Sequence, residues 1–140
     1  MKILLVEDSR LLRFSNERAL TKAGYEVITA EDGEEALCRA RDEQPDLILL
    51  DLLLPKISGM EVLTRLKHNR VTAHIPVIAV SGLSQKNRQK LLEAGAEDYL
   101  EKSSIITDQG VSRLPKSLED IICRINRKRG VSFSPVLEKK

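Results

Sequence analysis

Short apolar runs alternate along the chain with segments whose apolar residues recur at helical spacing. Three runs, Ile3–Val6, Leu47–Leu50 and Val77–Val80, contain no polar residue. Strands that are covered by helices on both faces read as continuous apolar runs, whereas half-exposed strands alternate. These runs are therefore predicted to be central strands of a parallel sheet. The more polar segments Tyr25–Thr29 and Asp98–Leu100 are predicted to be its edges.

Five helical segments accompany the strands. Ser9 can cap the first and Gly24 can close it, and Asp32 with Glu35 forms a possible capping box for the second. The other helices are predicted over Gly59–Lys67, Ser84–Gly95 and Ser117–Lys128.

Alternating strands and helices predict an α/β fold with a doubly wound, five-stranded parallel sheet in the order 2-1-3-4-5 and five helices. Ligands of such sheets bind at the carboxyl ends of strands, here strands one and three. Residues 1–129 are expected to form one domain, with 103–116 as an extended loop before the last helix. Residues 130–140 are expected to be a basic tail or linker.

Composition supports one ordinary domain, since the chain has 140 residues of which 41% are hydrophobic. No apolar run approaches the roughly 20 residues that cross a bilayer, and the N-terminus lacks a secretory pattern. We expect no membrane association and a cytoplasmic protein. Cys38 and Cys123 lie far apart in predicted helices, so we interpret them as buried or half-buried thiols rather than a disulfide or metal site.

The end of the chain is basic. Residues 113–140 carry eight basic and three acidic residues, against a net charge of +2 for the whole chain. A basic cluster could meet nucleic acid phosphates, but basic residues also suit the end of a solvated helix, which we favour. The basic cluster comprises Arg124, Arg127, Lys128 and Arg129. DNA binding by this chain is therefore not expected.

An acidic cluster is predicted where strands one and three end. Glu7 and Asp8 follow the first strand and Asp51 follows the third. Carboxylates that lie close together repel one another unless a cation neutralises them, and Mg²⁺ is the leading candidate. Asp8 taken alone could equally be a helix cap. Glu7-Asp8-Ser9-Arg10 also lacks the glycines of a nucleotide-binding loop.

Two further polar residues end strands at the same edge, Ser81 after the fourth and Lys102 after the fifth. Taken singly, the serine is more often a turn or cap residue and the lysine a solvated side chain. Together with a metal and a carboxylate, they supply the positioning and charge neutralisation that a phosphoryl group needs.

These residues together resemble the receiver domain of bacterial two-component response regulators, of the chemotaxis-receiver-like, flavodoxin-like kind. The resemblance runs from Lys2 to about Lys102. Asp51-Leu52-Leu53-Leu54-Pro55, followed by Gly59, is similar to the segment around the family's phosphorylated aspartate. The segments Pro76–Gly82 and Ala94–Tyr99 are also similar to the sequence pattern of the family.

The resemblance implies that Asp51 is the phosphoacceptor and that Mg²⁺ is bound by Glu7, Asp8, Asp51 and the backbone carbonyl of Leu53. Ser81 and Lys102 would contact the phosphoryl oxygens. Such a domain is not an enzyme in the ordinary sense, although it catalyses its own phosphorylation and slow dephosphorylation.

The resemblance also implies partners and a switch. A sensor histidine kinase or a phosphotransfer protein would supply the phosphoryl group, and a downstream protein would read the result. Ser81 and Tyr99 are the implied switch residues, although Tyr99 could simply be a half-buried residue of an edge strand. The face of helix four, strand five and helix five would bind the partner and could form a homodimer.

The sequence departs from the receiver pattern in two features, and two other functional classes are considered beside the receiver. Ser103 replaces the proline that usually follows the lysine in a cis bond, so a trans bond or a rearranged loop is expected. Leu53 and Leu83 cannot orient an attacking water, which predicts slow loss of the phosphoryl group. A haloacid-dehalogenase-type hydrolase needs a second acid where Leu53 stands. A pseudo-receiver that binds partners without phosphorylation is the more serious alternative.

Overall fold

The computed structural model describes residues 1–81, 88–102 and 114–129. The strands are β1 (Lys2–Val6), β2 (Glu26–Ala30), β3 (Leu47–Asp51), β4 (Val77–Ser81) and β5 (Asp98–Glu101). The helices are α1 (Arg10–Lys22), α2 (Gly33–Glu43), α3 (Gly59–Lys67), α4 (Arg88–Glu93) and α5 (Leu114–Arg129). None of the described helices is both long and apolar enough to span a membrane.

The five strands form one parallel sheet in the order β2-β1-β3-β4-β5, which confirms the predicted fold. Every residue of β3 and β4 is buried, whereas β2 and β5 lie at the edges and are partly exposed. In the register of the sheet Asp51 lies beside Val80, and Ser81 lies beside Glu101. The carboxyl ends of the central strands therefore lie at one edge of the sheet.

The sheet separates two apolar layers. On one side it packs against α2, α3 and α4, and on the other against α1 and α5. Helix α3 contributes Val62, Leu63 and Leu66, all at most 1% exposed. Burial of this kind stabilises a domain by about 1.5–3 kcal/mol for each large apolar side chain.

Local signals in the sequence account for the helix ends. The Ser9 hydroxyl accepts a hydrogen bond from the Leu12 N–H at 3.3 Å, and the Asp32 carboxylate accepts one from the Glu35 N–H at 2.9 Å. The Glu35 side chain reaches back to the N–H of Glu31, one residue before the cap. Gly24 follows α1 with a φ of 103°, a conformation that favours glycine.

Helix α5 begins earlier than predicted, at Leu114 rather than Ser117. Pro115 lies in its first turn, where the missing N–H costs no helical hydrogen bond. Leu114 is 1% exposed and packs in the same core layer as the rest of α5. Residues 114–116 of the predicted loop are therefore helical. Residues 84–87 of the predicted fourth helix, 103–113 of the loop and the tail 130–140 lie outside the described residues.

The prediction that the cysteines are buried or half-buried is wrong, because both residues are exposed. Cys38 lies two residues from both Ala36 and Ala40, which are the residues of α2 that face the core. Positions two apart on a helix point to nearly opposite sides. Cys123 likewise falls outside the stripe formed by Ile121, Ile122 and Ile125.

The start of α3 is pressed against the end of β3 at Gly59. The Gly59 N–H donates to the carbonyl oxygen of Leu52 at 2.9 Å. A Cβ at this position would collide with the Leu52 Cα and would lie 2.6 Å from the carbonyl oxygen of Asp51. Both obstacles are backbone atoms, so only glycine allows this approach.

The close approach predicts a cost for Gly59→Ala. The added methyl group must push α3 away from the strand that carries Asp51, and we expect the free energy of unfolding to fall by about 2 kcal/mol. Urea denaturation followed by far-ultraviolet circular dichroism measures the change. Thr64→Ala, at an exposed position of the same helix, is the matched control and should be close to neutral. A Gly59→Ala protein as stable as the control would contradict the steric argument.

Candidate functional site

Three carboxylates meet at the carboxyl edge of the central strands. Glu7 and Asp8 directly follow β1, and Asp51 is the last residue of β3. One oxygen from each lies within 4.8 Å of the others. Glu7 and Asp51 are only 3% and 2% exposed, whereas Asp8 faces solvent. The structure thus brings together the three acids that the sequence placed at this edge.

The Lys102 ammonium lies between the two buried carboxylates. Its Nζ is 3.0 Å from Asp51 Oδ2 and 3.3 Å from Glu7 Oε1. Lys102 directly follows β5, so the pairing of β5 with β4 carries the lysine to this edge. A buried carboxylate pair without a counter-charge would be strongly destabilising, and the ammonium offsets part of that repulsion.

The surroundings shift the pKa values of these groups. Burial, with the added repulsion of Asp51, raises the pKa of Glu7 to about 7, although the Ser9 N–H and Lys102 oppose the change. Burial acts to lower the pKa of Lys102, but its hydrogen bond to Asp51 and the negative charges of Glu7 and Asp51 outweigh it and raise that pKa. When Glu7 and Asp51 are both ionised, the site therefore carries more negative charge than Lys102 alone compensates.

Backbone donors orient the buried carboxylates. The Ser9 N–H donates to Glu7 Oε2 at 3.1 Å, and the Leu53 N–H donates to Asp51 Oδ1 at 3.1 Å. The guanidinium of Arg13 donates to the Glu7 carbonyl oxygen at 2.9 Å. Sequence reasoning missed Arg13, although its place one turn after the Ser9 cap was a usable signal.

Ser81, at the carboxyl end of β4, and Tyr99, on the outer strand β5, lie next to the acidic site. Ser81 is fully buried at the end of β4, and Tyr99 on β5 is 6% exposed. Burial and the charge of Glu101 raise the pKa of the Tyr99 phenol, while a side-chain hydrogen bond from Ser81 acts in the opposite direction. The two predicted switch residues therefore interact with each other.

The donor set suits a hard divalent cation. Carboxylate oxygens are the ligands that Mg²⁺ prefers, and it is usually held by one or two carboxylates with several waters. Glu7, Asp8 and Asp51 present such oxygens within one ion's reach of each other, and exposed Asp8 leaves the site open to solvent. The Leu53 carbonyl remains a predicted ligand.

Solved structures define the class to which this fold belongs. The chemotaxis response regulator CheY4 of Vibrio cholerae superposes with a TM-score of 0.75 and 30% identity, covering 86% of this chain and 97% of that one. The receiver domain of a LuxO repressor protein from Vibrio parahaemolyticus, described as putative, gives a TM-score of 0.76 and 30% identity, covering 95% and 98%. The fold is that of CheY-like receivers.

Sequence comparison gives the family. Residues 3–109 match the response regulator receiver domain. The polar-differentiation response regulator DivK of Brucella ovis is 40% identical over 101 residues, 71% of this chain and 82% of DivK. The transcriptional regulatory protein PhoP for alkaline phosphatase synthesis in Bacillus subtilis is 41% identical over 102 residues, 72% of this chain but only 42% of PhoP. The chain belongs to the response regulator receiver domain family of two-component signalling.

The raised pKa of Glu7 predicts how stability depends on pH without metal. The folded chain keeps the Glu7 proton up to about pH 7, while the unfolded chain loses it near 4.5. Protonation of Glu7 therefore contributes fully to the free energy of unfolding below pH 4.5. This contribution, on the order of 2 kcal/mol, is lost as the pH rises through 7. Urea denaturation in EDTA at several pH values measures the loss.

Glu7→Gln is the control for this pH dependence, because the amide does not titrate in this range. The variant should show a flatter profile than the parent chain. Added Mg²⁺ should restore stability to the parent chain at pH 7 and above, because a ligand that binds only the folded state stabilises it. Parallel profiles for the parent and the variant would show that Glu7 has an ordinary pKa.

Proposed function

We propose that this receiver domain accepts a phosphoryl group on Asp51 in a Mg²⁺-dependent reaction and thereby changes which proteins it binds. The donor would be a sensor histidine kinase or a phosphotransfer protein. The observation that carries the proposal is the position of Asp51, buried beside Glu7 and bound by the Lys102 ammonium at 3.0 Å. Residues 1–129 would form the receiver and 130–140 a tail or linker.

The metal would be held by Glu7, Asp8, Asp51 and the Leu53 carbonyl. When bound, Mg²⁺ supplies positive charge that offsets the repulsion between the carboxylates and the incoming phosphoryl oxygens. The chain's own residues do the rest of the positioning. The Leu53 N–H already holds one Asp51 oxygen, and Lys102 holds the other.

The transfer itself is a nucleophilic displacement. An Asp51 carboxylate oxygen forms a bond to phosphorus as the phosphorus–nitrogen bond of the donor phosphohistidine breaks, and the electron pair of that bond stays on the imidazole. The Lys102 ammonium would turn from the free carboxylates to the transferred phosphoryl oxygens. The Ser81 hydroxyl would donate to another of these oxygens.

The movement of Ser81 toward the phosphoryl group would also switch the protein between two binding states. The Ser81 hydroxyl has one proton and cannot donate it to Tyr99 and to a phosphoryl oxygen at the same time, so phosphorylation would weaken its interaction with the phenol. Tyr99 lies on β5, between α4 and α5. The weaker interaction would bias the face formed by α4, β5 and α5 toward a form that binds a downstream partner or a second copy.

The surface beside the site suits a protein donor. Large apolar side chains are exposed there: Leu11 is 75% exposed, Phe14 57% and Leu53 60%. Leu11 and Phe14 lie at the start of α1, immediately after Asp8, and Leu53 lies two residues beyond Asp51. Exposed apolar groups gathered around a reactive site are typical of protein contact surfaces.

Two alternatives fit less well. A pseudo-receiver would keep the fold without phosphorylation, but it would not need a buried aspartate in contact with an ammonium. A haloacid-dehalogenase-type hydrolase would need an acid where the apolar Leu53 stands.

Phosphorylation is tested directly by incubating the chain with Mg²⁺ and acetyl phosphate and measuring its intact mass. We expect one added phosphoryl group on the parent chain and none on Asp51→Asn, because an amide is a poor nucleophile. EDTA should prevent the addition. Lys102→Met should slow it strongly, since the variant loses the charge that faces the phosphoryl oxygens. An unmodified parent chain would favour the pseudo-receiver.

The lifetime of the phosphorylated chain provides a second test. Leu53 has no hydrogen-bonding side-chain group with which to orient a water against the phosphoryl group, so hydrolysis should be slow. Leu83, the other apolar residue in this prediction, lies outside the described residues. After removal of acetyl phosphate, intact mass followed over time should show faster decay in Leu53→Asn than in the apolar control Leu53→Met. Decay of the parent chain within seconds would rule out this account.

A further inference from the structure

Arg13 on α1 holds the short connection that carries two of the three acidic residues. Its guanidinium Nη1 donates to the carbonyl oxygen of Glu7 at 2.9 Å and to that of Asp8 at 3.4 Å. Both residues lie between β1 and α1. Within the part of the chain that the structure describes, Arg13 makes no ion pair with a carboxylate. Its positive charge therefore contacts the backbone of the acidic site and leaves the carboxylates available for other partners.

The start of α1 places Arg13 beside this connection. The Arg13 N–H donates to the carbonyl oxygen of the Ser9 cap at 2.8 Å, so its backbone lies one helical turn beyond the cap. Helical side chains lean toward the N-terminus of their helix, which directs this one back toward Glu7 and Asp8. Arg13 is half-buried, whereas Arg10, three residues earlier, is exposed and donates to no carbonyl of the described residues.

The contact with Asp8 extends to the Glu7 carboxylate through one peptide group. The Asp8 carbonyl and the Ser9 N–H belong to the same planar unit. That N–H donates to Glu7 Oε2 at 3.1 Å, which fixes the direction of the carboxylate. A cation at the carbonyl end of a peptide group restricts its rotation and polarises its N–H, so the N–H becomes a better donor. Arg13 thus supports the Glu7 carboxylate through the backbone.

We propose that Arg13 is a positioning residue for the metal site. By fixing the two peptide groups between Glu7 and Ser9, it holds the carboxylates of Glu7 and Asp8 in the arrangement that takes a divalent cation. The role is exerted through the backbone of the connection, and it rests on the Mg²⁺ site of the proposed function.

The charge of Arg13, taken alone, predicts the opposite effect on metal binding. A guanidinium close to a Mg²⁺ site repels the metal, so its removal would strengthen binding if repulsion were its only influence. The loss of a contact that orders the ligands would weaken binding instead. The sign of the change in the dissociation constant for Mg²⁺ therefore distinguishes positioning from repulsion.

Calorimetric titration of the full chain with Mg²⁺ measures this sign. Arg13→Met should raise the dissociation constant about fivefold, the effect of one lost hydrogen bond. Arg10→Met is the matched control, because it removes the same charge from the first turns of α1 without removing a backbone contact, and it should leave the constant unchanged or lower it. Arg13→Lys keeps the charge and a donor group and should recover part of the affinity. Equal constants for Arg13→Met and Arg10→Met would overturn the proposal.

Amide hydrogen exchange gives a readout that needs no metal. In the metal-free chain, the Ser9 N–H should exchange several-fold faster in Arg13→Met than in the parent chain, because the peptide group that donates to Glu7 is no longer fixed. In Arg10→Met it should exchange at the parent rate. The amide of Ile48, in the central strand β3, reports global opening and should be unchanged in both variants. An unchanged Ser9 rate in Arg13→Met, or an equal acceleration at Ile48, would overturn the positioning role.

Phosphorylation separates this inference from the proposed function. If the parent chain binds Mg²⁺ and Arg13→Met binds it more weakly, but acetyl phosphate adds no phosphoryl group to the parent chain, the proposed function fails and the role of Arg13 stands. If the parent chain is phosphorylated and Arg13→Met binds Mg²⁺ as Arg10→Met does, the function stands and the inference fails.

Discussion

The carboxylates of Glu7 and Asp51 are almost inaccessible to solvent, and both contact the single ammonium group of Lys102. The acidic edge of the sheet depends on this excess of two carboxylates over one ammonium. Glu7 and Asp51 lie at the ends of different strands, and Lys102 arrives from a third. Bringing like charges together inside a protein costs free energy. Burial, with the added repulsion of Asp51, raises the pKa of Glu7 to about 7, and the negative charge of the site favours any cation that can enter beside exposed Asp8. The same unfavourable charge makes the site receptive to a metal.

The sheet could be predicted because its strands are buried on both faces. Continuous runs such as Ile3–Val6 and Val77–Val80 are typical of central strands in a parallel sheet, and right-handed crossovers leave few possible strand orders. The acidic cluster could be predicted for the same reason. Once strand ends are known, Glu7, Asp8 and Asp51 must lie at one edge, whatever the details of the loops.

Features that depend on how a helix is rotated about its axis could not be predicted as well. The sequence did not show that Cys38 and Cys123 face solvent, because a thiol is compatible with either face of an amphipathic helix. It also did not show that Arg13 would reach the Glu7 carbonyl, or that Ser81 would interact with the Tyr99 phenol. Such contacts depend on side-chain rotamers and on packing between elements that are distant in the chain.

Lys102 lies 51 residues from Asp51 and 95 residues from Glu7 along the chain. Contacts between such distant residues form only when the intervening chain has been ordered. A nascent chain that has not yet released β5 from the ribosome, or a damaged chain from which β5 has peeled away, has no ammonium beside its aspartate. The arrangement of charges around Asp51 is therefore complete only when β5 is paired in the sheet.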